Sequence, residues 1–377
     1  MPARVVVAPD KFKGSCTARE AAEAIVAGLR DAWGEGFAAD VVPMADGGDG
    51  TVATFLESGA TPRSVVVRDA LGAPVTATYA RMGGTAILEM AAASGLAQLG
   101  TRRAPRSAST YGTGQLIADA MAGGAERIVL GIGGSATTDG GAGALAALGM
   151  RFLDASGALL EPAPAALAAL ASVDAAGLDP RLARVRLEIA CDVENPLLGP
   201  AGAAAVYGPQ KGADAADVAF LESVLARLAG IAVAASGHDL RALPGAGAAG
   251  GLGWGLATFA GARLARGFDL VAMTQGLAAK LAGSALCVTG EGRVDGQSLH
   301  GKVVGGIAAL ARATGAVPVV AIGGSVDPRA VPELGAWGVD CVALVADGAD
   351  PGPAMRAAPA FIRAAAADWA RLRPVPA

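Results

Sequence analysis

The sequence predicts an α/β protein: a doubly wound parallel sheet into which a second α/β domain is inserted. Near both ends of the chain, short apolar runs alternate with Gly-containing loops and helical stretches, the pattern of a parallel sheet. Hydrophobic residues make up 53% of the chain and aromatic residues only 4%, which suits compact layers filled by Val, Leu, Ile and Ala. A chain of 377 residues is also too long for one ordinary core.

The outer domain is predicted from five short buried strands, two before and three after the middle of the chain, which alternate with loops and helices. The predicted strands span 4–8, 40–44, 285–289, 317–322 and 341–345. The predicted helices span 17–30, 302–313, 328–337 and 353–372. Thr17 is expected to cap the first helix, because Glu20 stands three residues later at capping-box spacing. We therefore expect residues 1–61 and 273–377 to form one domain.

The middle of the chain, residues 62–272, has a different pattern. Runs at 64–67, 75–81 and 86–90 are closely spaced and separated by Gly turns, which predicts antiparallel strands. The following elements are predicted as a helix over 113–122 and strands over 128–132 and 185–190. This stretch is expected to be the inserted α/β domain.

Composition argues against several classes of protein. The net charge is −4 and no basic stripe appears, so neither nucleic acid nor an anionic membrane is an expected partner. The longest uncharged stretch, 242–262, contains seven glycines and Pro244, which disfavours a spanning helix. The N-terminus has no signal-peptide pattern, and the four cysteines form no CxxC pair. We expect a reduced, cytoplasmic protein without a zinc site.

Lysine is rare and unevenly placed. Only five of the 30 basic residues are lysines, and four of them stand in loops of Gly and acidic residues: Lys11, Lys13, Lys211 and Lys302. Elsewhere the chain uses Arg, apart from Lys280. A compact ammonium on a flexible stem can follow a moving phosphoryl group as a point charge. Five residues are a small sample, so chance placement explains the count equally well.

The densest motif is VTGEGRVDGQSLHGKVVGG at 288–306, which leaves the carboxyl end of a predicted strand. Within it, 296–302 fits GxxxxGK, but Val303 stands where a P-loop needs Ser or Thr for Mg²⁺. A true P-loop is not expected, whereas a helix start with a Lys still favours an anion. The alternative is a tight glycine turn with a solvated Lys. The same loop also contains Glu291, Asp295, Gln297 and His300.

A second Gly-rich turn, 131–143, also follows a strand and opens a helix. Its Gly133, Gly134, Ser135 and Thr137 could supply backbone and hydroxyl donors to a phosphate or carboxylate. Taken alone, an ordinary strand-to-helix turn with a Thr or Asp cap explains it better. Two GxGxxG-like matches do not fit a dinucleotide site, which argues against an oxidoreductase. The match at 245–250 follows Pro244 and no strand, and the match at 141–146 lies inside the start of a helix, past the turn.

Acidic residues stand on loops beside glycines, and this group suggests phosphoryl transfer. Such chemistry needs oxygen ligands for Mg²⁺ and a carboxylate to accept the proton of the attacking hydroxyl. Any single member could equally be a cap or turn residue. Asp192 and Asn195, after the strand at 185–190, are the best-placed pair. The group consists of Asp10, Asp46, Asp49, Glu89, Asp139, Asp192, Glu291 and Asp295.

Eight longer motifs occur in the order APDKFKGS, MADGGDGT, EMAAASGL, GIGGSATTDGGAG, ACDVENPL, GPQKGA, PGAGAAGG and TGEGRVDGQSLHGK. In this order they resemble the two-domain bacterial glycerate kinases, from residue 4 to beyond residue 320. The resemblance implies phosphorylation of D-glycerate at the 2-hydroxyl with ATP and Mg²⁺. It also implies a flavodoxin-like domain interrupted by an insertion resembling the restriction-endonuclease fold. Many relatives carry Ser where Lys11 stands, which favours Lys13 as the functional residue of that pair.

On this basis we expect direct in-line transfer in the cleft between the domains, with Asp192 as base and Asn195 positioning it. Lys13, Lys211 and Lys302 would neutralise phosphate charge, and Glu291 and Asp295 would hold Mg²⁺. Further binding residues are expected at Asp10, Lys11, Asp46, Asp49, Ser94, Gly133, Gly134, Ser135, Thr137, Asp139, Gln297 and His300. The alternatives are a glycerate 3-kinase, a kinase of another small hydroxy acid, or a non-catalytic small-anion-binding protein.

Overall fold

The computed structural model describes residues 2–299 and 302–376. Its strands are β1 (Ala3–Val7), β2 (Phe37–Val41), β3 (Thr61–Arg68), β4 (Pro74–Met82), β5 (Thr85–Glu89), β6 (Arg127–Gly131), β7 (Arg151–Leu153), β8 (Ser172–Asp174), β9 (Arg186–Ala190), β10 (Arg263–Ala265), β11 (Leu286–Val294), β12 (Val319–Val326) and β13 (Val339–Ala343). Its helices are α1 (Ala18–Trp33), α2 (Thr51–Glu57), α3 (Ala91–Ser94), α4 (Tyr111–Ala122), α5 (Ala142–Ala147), α6 (Pro164–Leu167), α7 (Ala203–Tyr207), α8 (Ala215–Ser236), α9 (Leu252–Ala260), α10 (Gly267–Thr274), α11 (Leu277–Leu281), α12 (Val303–Ala313), α13 (Val331–Ala336), α14 (Gly352–Arg356) and α15 (Ala358–Arg371).

The chain divides into two compact units. The first unit comprises the residues up to Asp46, Ala53–Gly59, and the residues from Phe268 onward. The second unit comprises Gly47–Val52 and Ala60–Gly267. Each unit has its own sheet and its own hydrophobic core.

The first unit is built on a five-stranded sheet in the order β13-β12-β11-β1-β2, and every neighbouring pair is parallel. Val5, Val6 and Val7 of β1 are fully buried. Such a continuous apolar run is expected of a strand covered on both faces. Helices α1 and α15 pack on one face through Ile25 and Ile362. From β1 the chain adds β2 on one side of the sheet and then β11, β12 and β13 on the other side. Open parallel sheets bind ligands at such a switch in strand order, which lies here between β1 and β11.

The sequence-based element predictions for this unit hold with shifted ends. The capping box on α1 is confirmed, since the Thr17 hydroxyl accepts from the Glu20 N–H and the Glu20 carboxylate accepts from the Thr17 N–H. Strand β2 begins three residues earlier than predicted, because Phe37 pairs with Ala3 of β1. The single helix predicted over 353–372 is wrong: Ala357 has φ −129° and ψ 35°, and α15 begins afresh with a proline in its first turn.

The second unit is built on a six-stranded mixed sheet in the order β10-β9-β6-β5-β4-β3. Strands β3, β4 and β5 pair antiparallel, as predicted, and β5, β6, β9 and β10 pair parallel. Strands β7 and β8 form a separate antiparallel ribbon. The core beneath the sheet is filled by Leu88, Leu130 and Ile189 from the strands with Leu221 and Leu225 from α8.

One short segment, Gly47–Val52, groups with the second unit although we placed it in the outer domain. A Cβ on Gly47 would lie 2.7 Å from both the Ala190 Cβ and the Gly267 Cα, so the bare backbone packs there. The Val52 N–H donates to the Glu89 carboxylate at 2.8 Å. These contacts tie the segment to the second unit.

Helix α8 is the one described helix whose length and apolar composition would let it cross a membrane. That test is weak, because a core helix of a folded domain passes it as well. In this chain α8 buries Leu221, Val224, Leu225 and Leu228 in the core of the second unit.

Candidate active site

The first unit contains a cavity of about 450 Å³ at the carboxyl ends of β1, β2 and β11. This first-unit cavity brings together many of the charged residues that the sequence singled out. The Asp10 N–H donates to Gly290 O at 2.8 Å, which anchors the chain after β1 to β11. The charged residues that line the cavity are Asp10, Lys11, Lys13, Asp46, Glu291, Arg293 and Lys302.

A tight loop after β1 presents two of these lysines. The Phe12 side chain is buried, with 3% of its surface exposed, and the Phe12 N–H donates to Cys16 O at 3.0 Å. Lys11 and Lys13 flank Phe12 in sequence and both line the cavity. Gly292 of β11 packs beside this loop, since a Cβ there would lie in van der Waals contact with the Lys13 backbone nitrogen, at 3.4 Å. Burial of one aromatic ring therefore places two ammonium groups at the cavity.

Two carboxylates of this cavity are held in a poorly solvated position. Burial and, to a smaller extent, the charge of the nearby Asp46 raise the pKa of Asp10 to about 7. Burial also raises the pKa of Glu291 to about 7, while a hydrogen bond from the Ser298 hydroxyl and the charge of Lys302 oppose the rise. A cation among these groups would favour their ionised forms, because opposite charge lowers a carboxyl pKa.

Lys302 stands at the N-cap of α12 with an extended backbone, φ −77° and ψ 176°. The first-turn N–H groups of a helix attract anions, and an ammonium at the same position adds a full charge. Lys302 lines the first-unit cavity, so both sources of positive potential meet there. Asp295 pairs with Arg293 at 3.2 Å and is not among the described lining residues. The predicted site residue His300 and the Gln297 side chain lie outside the described part of the chain.

The second unit contains a separate cavity of about 320 Å³. Four glycines, Gly47, Gly48, Gly133 and Gly134, line this second-unit cavity together with Ser135 and several apolar side chains. Gly134 has φ +68°, and a Cβ there would lie 3.0 Å from Asp49 Oδ1, so the turn needs glycine. Among the lining residues that the structure describes, none is Lys or Arg.

Asp192 is the carboxylate of the second-unit cavity. It is exposed, follows β9, and accepts a hydrogen bond from the Gly267 N–H at 2.9 Å. Asn195, which we expected to position Asp192, instead has both ends of its amide engaged in the loop. Its Nδ2 donates to Ala201 O at 2.8 Å, and its Oδ1 accepts from the Tyr207 hydroxyl at 2.7 Å. Asn195 thereby orients Tyr207, which lines the cavity.

Lys211 lies outside both cavities, in the core of the second unit. Its side chain is 1% exposed, and Nζ donates to Thr137 O at 2.6 Å. Burial lowers the pKa of Lys211 to about 7, although the charge of Asp139 opposes the shift. Asp139 is fully buried, which raises its pKa, and accepts hydrogen bonds from Thr110, Gly141 and Gly143. These groups hold the 131–143 turn from beneath.

Thr137 and Ser94 are also buried, each with 0% exposure. The Ser94 hydroxyl accepts from Thr113 at 2.9 Å, and Ser94 O accepts from the Ala136 N–H. Neither residue is among the described lining of a cavity. They support the turn whose glycines and Ser135 line the second-unit cavity.

Sequence reasoning missed several lining residues. Tyr207 and Gln210 line the second-unit cavity beside the motif in which only Lys211 was singled out. Leu344, Ala354 and Met355 line the first-unit cavity from a region without a sharp motif. The position of Leu344 directly after β13 was the available signal, because ligands bind at the carboxyl ends of parallel strands.

An α/β unit with a cation-lined cavity at the carboxyl ends of its parallel strands is the arrangement that such folds use to hold phosphate groups. A family model described as the glycerate kinase family matches residues 5–373. The glycerate kinase of Bacillus subtilis (strain 168) is 46% identical over 355 residues, covering 92% of this chain and 91% of that protein. The glycerate 2-kinase of Escherichia coli (strain K12) is 42% identical over 326 residues, covering 85% of each chain.

A crystal structure of a proposed glycerate kinase 2 from Salmonella typhimurium LT2 superposes with a TM-score of 0.88 at 40% identity. The match covers 99% of this chain and 98% of that one. The chain belongs to the glycerate kinase family and is a phosphotransferase, which confirms the resemblance found in the sequence. Membership implies glycerate as small-molecule substrate and ATP as co-substrate.

Proposed function

We propose that the protein transfers the γ-phosphoryl group of ATP to the 2-hydroxyl of D-glycerate and releases 2-phosphoglycerate and ADP. The observation that carries this proposal is that Lys13 and Lys302, the latter at the start of α12, both line the first-unit cavity in a member of the glycerate kinase family. The 2-position is supported by the relative from Escherichia coli that is named glycerate 2-kinase. The 3-hydroxyl is the alternative acceptor.

The proposed step is a direct in-line displacement. The bond between the β,γ-bridging oxygen and the γ-phosphorus breaks as the bond from the glycerate oxygen to that phosphorus forms. Asp192, exposed in the second-unit cavity, takes the hydroxyl proton. Lys13 and Lys302 neutralise charge on the transferring group, since such reactions depend on positioning and electrostatic stabilisation.

Mg²⁺ fits this proposal as an ion shared with the nucleotide rather than held by the protein alone. No group of three or more His, Cys, Asp or Glu side chains within the described residues is arranged to hold a metal. Mg²⁺ in kinases is commonly bound by one or two carboxylates plus substrate phosphates. Glu291 and Asp10 line the first-unit cavity and would be those carboxylates, and Asp10 replaces Asp295 in our proposal. The ion would neutralise phosphate charge.

We also propose a fold type for each of the two units. The order β2-β1-β11-β12-β13 is 2-1-3-4-5 when the strands of the first unit are numbered along the chain, the order of flavodoxin-like sheets. We propose that the second unit, which is built on the mixed six-stranded sheet, is the insertion resembling the restriction-endonuclease fold.

The test is product analysis on the purified protein. ADP formation that depends on both ATP and D-glycerate distinguishes a kinase from a small-anion-binding protein. A ³¹P NMR spectrum of the product then distinguishes the 2-phosphate from the 3-phosphate through phosphorus–proton coupling. Formation of 3-phosphoglycerate would overturn the position, and no D-glycerate-dependent ADP would overturn the function.

A further inference from the structure

We infer that the first-unit cavity is the nucleotide site, with the phosphates at its lysine end and the adenine base against an apolar wall. That wall is formed by Leu344, Val345, Ala354 and Met355. The inference rests on the proposed function, since it assigns a location to the co-substrate. The second-unit cavity is then the site of the hydroxy acid.

Charge distinguishes the two cavities. Four cationic side chains line the first-unit cavity beside the three carboxylates already described: Lys11, Lys13, Arg293 and Lys302. The described lining of the second-unit cavity contains no cationic side chain and includes four glycines, whose backbone is open to a small ligand. A triphosphate concentrates several negative charges and needs cations, whereas a single carboxylate can be held by backbone N–H groups. The phosphates therefore belong in the first-unit cavity.

The apolar wall gives the first-unit cavity a surface that can pack against a purine base. Leu344 and Val345 follow β13, and Ala354 and Met355 belong to α14. Met355 is 46% exposed, and its Cε lies 3.8 Å from the position of a Cβ on Gly14, so the wall reaches the lysine loop. A three-carbon hydroxy acid has no apolar face of this size. A purine base has two, and cofactor pockets are mostly apolar with a few polar groups.

The distance between the lysine end and the apolar wall of the first-unit cavity suits an extended ligand. Strand β13 lies three strand spacings from β1 in the sheet order. At the usual separation of neighbouring strands this is about 14 Å. Gly324 of β12 lies between the ends, and a Cβ there would come within 2.4 Å of Gly292 O, so the floor of the cavity is bare backbone. An extended nucleotide spans this distance, whereas glycerate does not.

Photolabelling of the unmodified protein tests the assignment without any substitution. The protein is irradiated with 8-azido-ATP and Mg²⁺, and labelled peptides are mapped by mass spectrometry. We expect label within 341–362, suppressed by excess ADP and retained in excess D-glycerate. Label confined to peptides from 190–210 would place the base at the second-unit cavity and overturn the inference.

A matched pair of variants gives a quantitative test. Met355→Glu puts a carboxylate on the proposed base wall, and Met273→Glu makes the same change at a methionine of similar exposure outside the described cavity linings. We expect Met355→Glu to weaken MgADP binding by at least about tenfold in calorimetry. Met273→Glu should bind like wild type. Equal affinity in both variants, with melting curves showing both folded, would contradict the inference.

This binding measurement needs no turnover. If the protein formed no phosphoglycerate, the proposed reaction would fail, yet MgADP titration would still decide where the nucleotide binds. Conversely, active enzyme whose Met355→Glu variant has a raised KM for D-glycerate and an unchanged KM for ATP would retain the reaction and overturn the assignment.

Discussion

The two units use the same strand–glycine loop–helix pattern but place their charged residues differently. In the first unit, Lys13 and Lys302 line a cavity together with the carboxylates of Asp10 and Glu291. In the second, Lys211 is buried beneath the turn whose glycines line the cavity. The difference teaches that a lysine in a glycine-rich loop can either line a cavity or serve as internal support.

The buried arrangement in the second unit has a physical cost and a structural use. Taking a lysine and a carboxylate out of water is unfavourable unless each is hydrogen-bonded. Lys211 donates to Thr137 O, and Asp139 accepts from the N–H groups of Thr110, Gly141 and Gly143. The network supports the 131–143 turn, whose Gly133, Gly134 and Ser135 line the second-unit cavity. A rigid backbone cradle suits a small ligand of constant charge, whereas mobile lysines suit a transferring phosphoryl group.

The largest expected effect is that of Asp192→Asn, which keeps the shape of the side chain but cannot take a proton. If Asp192 is the base, kcat should fall by about 10²–10⁴-fold, with little change in nucleotide affinity. Steady-state kinetics over a range of Mg²⁺ concentrations checks this. Weakened nucleotide affinity with rate partly restored by excess Mg²⁺ would make Asp192 a metal ligand instead. Retained activity with a lowered Tm would leave it a structural residue.

Lys302→Ala should lower kcat/KM for ATP while the protein stays folded, because the side chain lies at a helix start that lines a cavity. Loss of one charge at the transferring group should cost about 2–4 kcal/mol at the transition state. Lys280→Ala is the matched control, since Lys280 stands outside the described lining of both cavities. A Lys302 variant with the same kcat/KM as the control would refute the role.

Lys211→Met should change the free energy of unfolding. The size of this change should depend on pH, in the sense opposite to that expected of a surface lysine. The folded pKa of Lys211 is about 7, below the usual 10.5. Between these values the unfolded chain binds the proton and the folded chain does not, so wild-type stability rises with pH. The unfolding free energy of wild type relative to Lys211→Met should therefore increase from pH 7 to pH 9.5. Chemical denaturation at both pH values measures this difference, and an unchanged difference would argue against a lowered pKa of the buried Lys211 amine.

The smallest effect is expected from Asp10→Asn on the protein without ligands. The pKa of Asp10 is raised to about 7, so the folded state keeps a proton that the unfolded state has lost between about pH 4 and 7. Wild-type stability consequently falls as pH rises through this range. Asn avoids the buried charge, so the variant should melt a few degrees higher at pH 8, with the gap closing near pH 4. A lower Tm than wild type at pH 8 would contradict this.

Sequence patterns predicted the elements better than the positions of side chains. The capping box at Thr17 and the antiparallel strands β3–β5 depend on local spacing, which the chain shows directly. The burial of Lys211 depends on Thr137 and Asp139, more than 70 residues away, and local spacing carries no such information. The apolar wall at Met355 was missed for a similar reason, because only the sheet order brings β13 to the cavity. By contrast, the break before α15 had a local signal in Pro359.

The most direct test of the central claim, that the two cavities hold different substrates, is calorimetric titration of two variants with each ligand separately. Lys302→Ala removes a cation from the first-unit cavity. Gly133→Ala adds a methyl group to the second, where its Cβ would lie 3.4 Å from Asp49 Oδ1. We predict weaker MgADP binding and unchanged D-glycerate binding for Lys302→Ala, and the reverse for Gly133→Ala. If Lys302→Ala weakened D-glycerate alone, or Gly133→Ala weakened MgADP alone, the division of the substrates between the cavities would be wrong.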